Sequence, residues 1–258
     1  MVASYGAHFG EESPLVGRYG SGTIFFSYCN LSCIYCQNYT ISQLGEGSPV
    51  SSQKLAEMML SLQRRGCHNI NLVSPSHVVA HILEALEIAA GRGLKLPLVY
   101  NTGGYDSVAT LKLLDGIIDI YMPDMKYSDE KTAEQLSGIR DYPGVNRAAV
   151  REMHRQVGDL EIDDSGLARR GLLVRHLVLP HGLAGTQGVV SFLAREVSPD
   201  TYTNIMAQYH PCYQAFSLPQ LARPLSEAEF AEAVSLARRQ GLTRLDKDTF
   251  RLPRLTPR

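Results

Sequence analysis

The sequence predicts an α/β protein, a partial (β/α)6 TIM-like barrel of parallel strands, and three observations carry that prediction. Six apolar runs rich in β-branched and aromatic residues recur along the chain, helical stretches separate them, and no dinucleotide fingerprint follows the first run. Continuous apolar runs suit strands covered on both faces, and helices between them imply parallel pairing through right-handed crossovers. Six such units without the fingerprint favour a curved barrel over an open doubly wound sheet. In either architecture chemistry collects at the C-terminal ends of the strands.

The predicted strands are Thr23 to Tyr28, Asn69 to Val73, Leu98 to Asn101, Ile117 to Met122, Leu172 to Leu179 and Tyr202 to Gln208. After the first, Ser51-Ser52 caps a helix whose Leu55, Met58, Met59 and Leu62 share a face, and Gly66 ends it. Val79, Ile82, Leu83 and Leu86 make a second helix after Ser76, closed by Gly91, and Val108, Leu111 and Leu114 a third after Asp106. Ser128 offers a cap for a fourth, with Asp129 and Glu130 at its positive end. Pro143 to Val157 reads as a further helix, and Asp164-Ser165-Gly166 as the turn of a short hairpin between Leu160 to Ile162 and Leu167 to Arg170. Thr186 to Val197 precedes the sixth strand. Ser226 and Glu229 form a capping box with Leu225 and Phe230 as hydrophobic staple, starting a helix to about Gln240, and from Gly241 the tail reads as a loosely held strap.

At 258 residues with 44% hydrophobic content, the chain can bury one substantial core. The expected division is an N-terminal extension over 1–20, the barrel over 21–215, and a C-terminal helix and tail over 216–258 packed on it. A formal charge of -1 gives no field to gather nucleic acid or an anionic membrane. The first residues, MVASYGAHFGEESP, lack the basic and apolar regions of a signal peptide, and no stretch reaches the roughly 18 apolar residues of a membrane span. These features predict a cytoplasmic protein with neither nucleic acid nor membrane as partner.

The chemistry lies in GTIFFSYCNLSCIYCQNY, where Cys29, Cys33 and Cys36 stand in a C-x3-C-x2-C spacing directly after the first strand. Thiolates are the soft ligands that iron-sulfur clusters prefer, and three on one short loop can hold a 4Fe-4S cluster while leaving one iron open. A zinc site takes four ligands, commonly from paired C-x2-C knuckles, and no nearby His or Cys completes one. Cys67 and Cys212 read as packed or loop thiols. Arg175 and His176 interrupt the apolar fifth strand; a charge there is costly unless paired, so Arg175 points into the barrel toward a carboxylate or belongs to a structural salt bridge. His77 and His81 lie one helical turn apart but lack the Glu of a zincin, which favours solvated or capping roles.

With these residues in view, the chain resembles the radical S-adenosylmethionine (SAM) superfamily, and more closely its branch of relatives of the pyruvate formate-lyase activating enzyme. The resemblance runs from about Ala3 to Ala215. It implies a radical SAM core with catalytic Cys29, Cys33 and Cys36 on a 4Fe-4S cluster, and S-adenosylmethionine cleaved reductively to methionine and a 5′-deoxyadenosyl radical. Reduced flavodoxin or ferredoxin is the implied electron donor, and hydrogen abstraction from a partner protein, such as glycyl-radical formation, the implied activity. By the same resemblance Tyr35 and Gln37 contact the adenine, and Asp124 and Lys126 in MPDMK lie on the ribose side. Asn101 in YNTGG and His210 in QYHP occupy matching positions. Where the family presents Gly-Gly-Glu after its second strand, this chain has SPSH, which nominates Ser74 and Ser76. The alternatives are a radical SAM enzyme acting on a small metabolite or modifying another protein, and a non-catalytic iron-sulfur or zinc-binding module.

Overall fold

The computed structural model describes residues 1–250. Six parallel strands form the frame: β2 (Ser21–Phe26), β3 (Ile70–Val73), β4 (Leu98–Thr102), β5 (Ile120–Pro123), β7 (Ala168–Leu177) and β8 (Tyr202–Met206). Each pairs with the next in chain order, so the sheet never reverses direction. Sequential winding places the crossover helices on one face and lets the other curve around a lumen, as the six-unit pattern predicts. Two short strands were not among the six: β1 (Val2–His8) runs antiparallel along β2, and β6 (Glu161–Ile162) pairs antiparallel with β7 as the expected hairpin.

Side-chain alternation along the strands sorts residues onto the two faces. Ile24, Ile70, Leu72, Tyr100, Tyr121, Leu172, Val174 and Ile205 join the main core beneath the helices. Their neighbours along each strand face the lumen. Its lower part is packed by Val99, Ile120, Met122, Leu173 and Tyr202 around Leu15, which α1 (Ser13–Val16) delivers. Helix α1 thus plugs the bottom of the barrel, and Asn69 Nδ2 fixes it by donating to Leu15 O at 2.9 Å.

The outer helices are α3 (Ser52–Arg64), α4 (Val79–Gly91), α5 (Val108–Leu113), α6 (Glu130–Ser137), α7 (Tyr142–Val157), α8 (Thr186–Phe192) and α9 (Glu227–Arg239), with a one-turn α2 (Tyr39–Ser42) after the cysteine loop. Ser51 caps α3 by accepting from Lys54 N at 3.2 Å. At α9 the expected capping box is complete, Ser226 with Glu229. Three start signals differ from expectation. Asp129, rather than Ser128, caps α6, because its carboxylate accepts from Thr132 N at 2.8 Å while Ser128 packs against the backbone of Gly185 and Gly188. Ser76 does not cap α4, since its hydroxyl is bonded to Thr102, and Asp106 turns toward Tyr100 and Thr102 rather than α5. The stretch after α8 widens into a π-helical turn over Leu193–Val197.

The tail from Gly241 is not a loose strap as far as it is described. Thr203 N donates to Arg244 O at 3.0 Å and Asp246 N to Thr203 O at 2.9 Å, a parallel bridge that covers the free edge of β8. Tyr202 OH reaches Asp246 Oδ2 at 2.8 Å. Residues 251–258, the end of that expected strap, lie outside the described residues. No helix among the described residues is long and apolar enough to cross a membrane.

Candidate active site

At the C-terminal ends of the strands a second core cluster joins Leu31, Cys33, Tyr35, Tyr127, Leu136, Tyr142 and Tyr209, with Cys29 and Cys36 packed against it. The loop after β2 is pinned to the end of α6, where Ser32 N donates to Ser137 O at 3.2 Å and Ile34 N to Leu136 O at 3.0 Å. Hydroxyls approach two of the three sulfurs: Ser137 Oγ donates to Cys33 Sγ at 2.9 Å, and Ser42 Oγ lies 3.1 Å from Cys36 Sγ. Burial pushes the Cys33 thiol up to about 11 and raises that of Cys29, with the Lys126 ammonium opposing it in both cases. Burial thus favours the neutral thiols even with Lys126 nearby, and a bound metal would favour the thiolates.

The donor set fits an iron-sulfur cluster. Three thiols on one half-buried loop, with hydroxyls aimed at the sulfurs, provide ligands together with the hydrogen bonds that hold and tune them. Among the described residues no three His, Cys, Asp or Glu side chains converge on the point one metal ion would occupy. A cubane binds its thiolates at separate corners and does not require that convergence.

Beneath the cysteine loop lies a half-buried ionic network, its side chains 14–19% exposed. Lys126 Nζ meets Asp124 Oδ2 at 2.7 Å, Arg175 Nε meets Asp124 Oδ1 at 2.9 Å, and another Arg175 nitrogen donates to Asn101 Oδ1 at 2.8 Å. Burial pushes the Asp124 carboxyl up, yet the Arg175 and Lys126 charges outweigh it and hold it below its ordinary 3.8. Desolvation likewise opposes the Lys126 charge, and Asp124 and Cys33 overcome it and raise that group well above 10.5. The aspartate is thus charged at any working pH, with both oxygens engaged.

The backbone around Asp124 is set by its neighbours. Tyr142 OH lies 2.9 Å from both Gly103 O and Asp124 O and accepts from Lys126 N at 3.0 Å. Asn146 Nδ2 bridges Gly104 O and Asp124 O. Gly104, at φ +77°, has no room for a Cβ, which would collide with Asp124 O and Asn146 Nδ2. The glycine pair thus lets the loop after β4 approach the chain beyond β5.

Other sequence-nominated residues are placed differently. Tyr35 is buried, its hydroxyl 2.6 Å from Tyr127 OH in a chain that continues to Ser137. Gln37 and His210 meet on the exposed rim, Gln37 Nε2 lying 3.3 Å from His210 Nδ1 and donating to Gln208 O at 3.1 Å. Ser74 takes a left-handed φ of +57° while its N–H donates to Asn101 O at 2.9 Å. Ser76 Oγ lies 2.9 Å from Thr102 Oγ1, which donates to buried Asp106. His77 Nε2 lies 2.9 Å from Ser27 O, tying α4's entry to the end of β2. The structure therefore gathers Asn101, Asp124, Lys126 and Arg175 into one network, and sets Ser76, Gln37 and His210 outside it.

Sequence reasoning missed four lumen residues. Glu11 and Glu12, just ahead of α1, each come within 3.9 Å of Arg175, and Asn204 Nδ2 on β8 donates to Glu12 Oε1 at 3.1 Å. Asn71 on β3 is fully buried beside Glu11. A polar residue in the middle of an apolar strand, as in INLV and YTNIM, is the signal that flagged Arg175 and applied equally to Asn71 and Asn204. Cys212 also proves spatially close to the cysteine loop, its Sγ donating to Tyr35 O at 3.3 Å. Cys67 lies apart, buried at the end of α3.

A family model for the radical SAM superfamily matches residues 23–167. An uncharacterized protein of Methanocaldococcus jannaschii is 29% identical over 243 residues, covering 91% of this chain; the chain spans 66% of that relative's length. Among solved structures, a radical SAM methyltransferase from Sphaerobacter thermophilus is similar at a TM-score of 0.60 and 16% identity, over 88% of this chain and 67% of that one. Streptococcus suis SuiB bound to the precursor peptide SuiA gives 0.57 and 11%, over 85% and 46%. The FeFe-hydrogenase maturase HydG from Carboxydothermus hydrogenoformans gives 0.53 and 16%, over 84% and 50%. At these identities the likenesses establish a shared fold.

Proposed function

The chain belongs to the radical SAM superfamily, and we propose that within it this protein is activating-enzyme-like, abstracting hydrogen from a partner protein with reduced flavodoxin or ferredoxin as electron donor. The observation that supports this reading is the three-thiol loop set directly above the Asp124–Lys126–Arg175 network. The family's 4Fe-4S cluster and S-adenosylmethionine supply, when bound, the one-electron cleavage of a sulfonium and the hydrogen abstraction that follows.

This chain's residues do the rest. Cys29, Cys33 and Cys36 hold the cluster, and Ser137 and Ser42 orient two of the sulfurs. Asp124 serves as the acceptor for ribose hydroxyls, fixed by Lys126 and Arg175, while Asn101 is held by the same guanidinium. With no carboxylate in SPSH and Ser76 engaged by Thr102, the amino group of the methionine moiety is left to Ser74 and backbone carbonyls at the end of β3. The packed tyrosines around the loop exclude water from the site.

A second reading, action on a small metabolite, is favoured by the polar side chains of Glu12, Asn71 and Asn204 deep in the lumen, where an otherwise apolar interior offers groups for a compact ligand. The deciding experiment is anaerobic reconstitution with iron and sulfide, then dithionite reduction with S-adenosylmethionine. Release of 5′-deoxyadenosine supports the enzyme reading, and a well-loaded cluster that releases none refutes it. A glycyl-radical signal in a co-incubated candidate protein separates the protein substrate from the metabolite.

A further inference from the structure

The lumen's charge inventory does not balance. Asp124 is served by two cations at 2.7 and 2.9 Å, whereas Glu11 and Glu12 share the remaining reach of Arg175 at 3.9 Å each, beyond hydrogen-bonding distance. Three carboxylates face two cations, in a place where their side chains are 8% and 4% exposed for Glu11 and Glu12. Burying a carboxylate without a close partner is costly, so a fold that keeps two of them adjacent needs a reason.

A second, independent observation points the same way. Glu12 Oε2 and both polar atoms of Asn71 are buried with no hydrogen bond of ordinary length, although Asn71 lies close enough to Glu11 to favour its charged form. Asn71 lies opposite Thr23 and Val99 in register, on the lumen face, between Ile70 and Leu72, which face the helices. Fully satisfied side chains are the rule inside proteins, so these orphans mark unfilled hydrogen-bonding positions. Glu12 Oε2 and Asn71 Oδ1 accept and Asn71 Nδ2 donates: the group that matches two acceptors in a field of surplus negative charge is a cationic nitrogen.

We infer that the barrel lumen holds a subsite for a substrate cation, an ammonium or guanidinium group, bound by Glu11 and Glu12 with Asn71 completing its hydrogen bonds. This deepens the proposed function and rests on it, because the subsite lies in the lumen below the cysteine loop, where a substrate group would be held. The apolar plug of Leu15, Val99, Ile120 and Leu173 closes the floor, so the cation enters from the cysteine side. Arg175 cannot be the intended counter-ion for both carboxylates, since its nearer contacts go to Asp124 and Asn101.

Occupancy should depend on pH through Glu12. The charged or titratable groups facing it are Glu11 beside it in the chain, Arg175 on β7, Asp124 beyond β5 and Tyr202 on β8. Burial, opposed by Arg175 and reinforced by Glu11, raises the Glu12 carboxyl to about 7. Below that pH the carboxyl holds a proton and competes with the incoming cation.

The test uses full-length, anaerobically reconstituted protein and calorimetric titration at pH 8 with agmatine and with N-acetyl-lysine methylamide, against glutarate and 1,5-pentanediol. Saturable binding of at least one cation, with neither control binding, is the expected result, and which cation binds distinguishes a free amine from a peptide side chain. Glu12→Gln and Glu11→Gln should each weaken it at least tenfold, and wild-type affinity should fall between pH 8 and 6, a readout that needs no variant to fold. Absence of binding by both cations, equal binding of a control, or unchanged affinity in both variants overturns the inference. 5′-Deoxyadenosine release measured on the same sample keeps the two claims apart: cleavage without cation binding sinks the subsite alone, and a loaded cluster without cleavage sinks the proposed function.

Discussion

Replacing Arg175 by Met is the most searching test of the lumen network, because the substitution keeps much of the aliphatic volume and removes only the guanidinium. That group makes contacts of 2.9 Å to Asp124 and 2.8 Å to Asn101, and lies 3.9 Å from Glu11 and Glu12. Removing one partner of a buried ion pair costs about 3–5 kcal/mol, since the charge left behind loses its compensation. Against a typical total of about 5–15 kcal/mol this is a large fraction, equivalent to a fall in Tm of roughly 6–20 °C at about 2–4 °C per kcal/mol. Urea denaturation of wild type and variant at pH 8 measures it. The sign with pH follows from linkage: the Glu11 and Glu12 carboxyls, already raised, rise further without the guanidinium, so the folded variant holds protons that the unfolded chain has released. The deficit is thus larger at pH 8 than at pH 5. A variant within about 1 kcal/mol of wild type at pH 8 would refute the claim that this arginine neutralises the lumen carboxylates.

Three further outcomes are expected. Cys36→Ala should lose the visible absorbance and iron of the reconstituted cluster while Cys67→Ala keeps both, and equal loss would redraw the ligand set. Tyr142→Phe removes the hydroxyl shared by Gly103 O, Asp124 O and Lys126 N, and should destabilise by about 1–3 kcal/mol in urea denaturation, the cost of leaving buried groups unpaired. His176, neutral between Met125 O and Thr186 Oγ1, is lowered by burial to about 4, so the unfolded chain takes up its proton first as pH falls below 6.5. Wild type should therefore lose about 2 kcal/mol relative to His176→Gln between pH 7 and pH 5, and parallel pH profiles would contradict that account.

The six parallel strands and the cysteine loop were legible because their signals are local. Runs such as INLV and LVYNT, and three thiols within eight residues, carry their meaning without reference to distant partners. Strand β1 was not legible: VASYGAH fully buries only Val2 and is a strand only because β2 offers an edge to it. Helix starts slipped for a related reason. Ser76 and Asp106 are good caps by type, yet tertiary partners in Thr102 and Tyr100 claim their oxygens. Glu11 and Glu12 carry no local signal of the burial they find under Arg175, and the docking of residues 241–246 depends on a β8 edge that no local pattern announces.

The floor of the barrel is stitched by contacts between the two ends of the chain. Ser13 Oγ meets Asp246 Oδ2 at 3.3 Å, a sequence separation of 233, and Glu12 meets Asn204 across 192. Closing loops of that length carries a large entropic toll that only late contacts repay. Until the last strand and the tail are made, Glu12 lacks its Asn204 partner and Ser13 its Asp246 partner. The lumen is thus completed only by the last strand and the tail, and a nascent chain stalled before residue 204 should lack a finished floor.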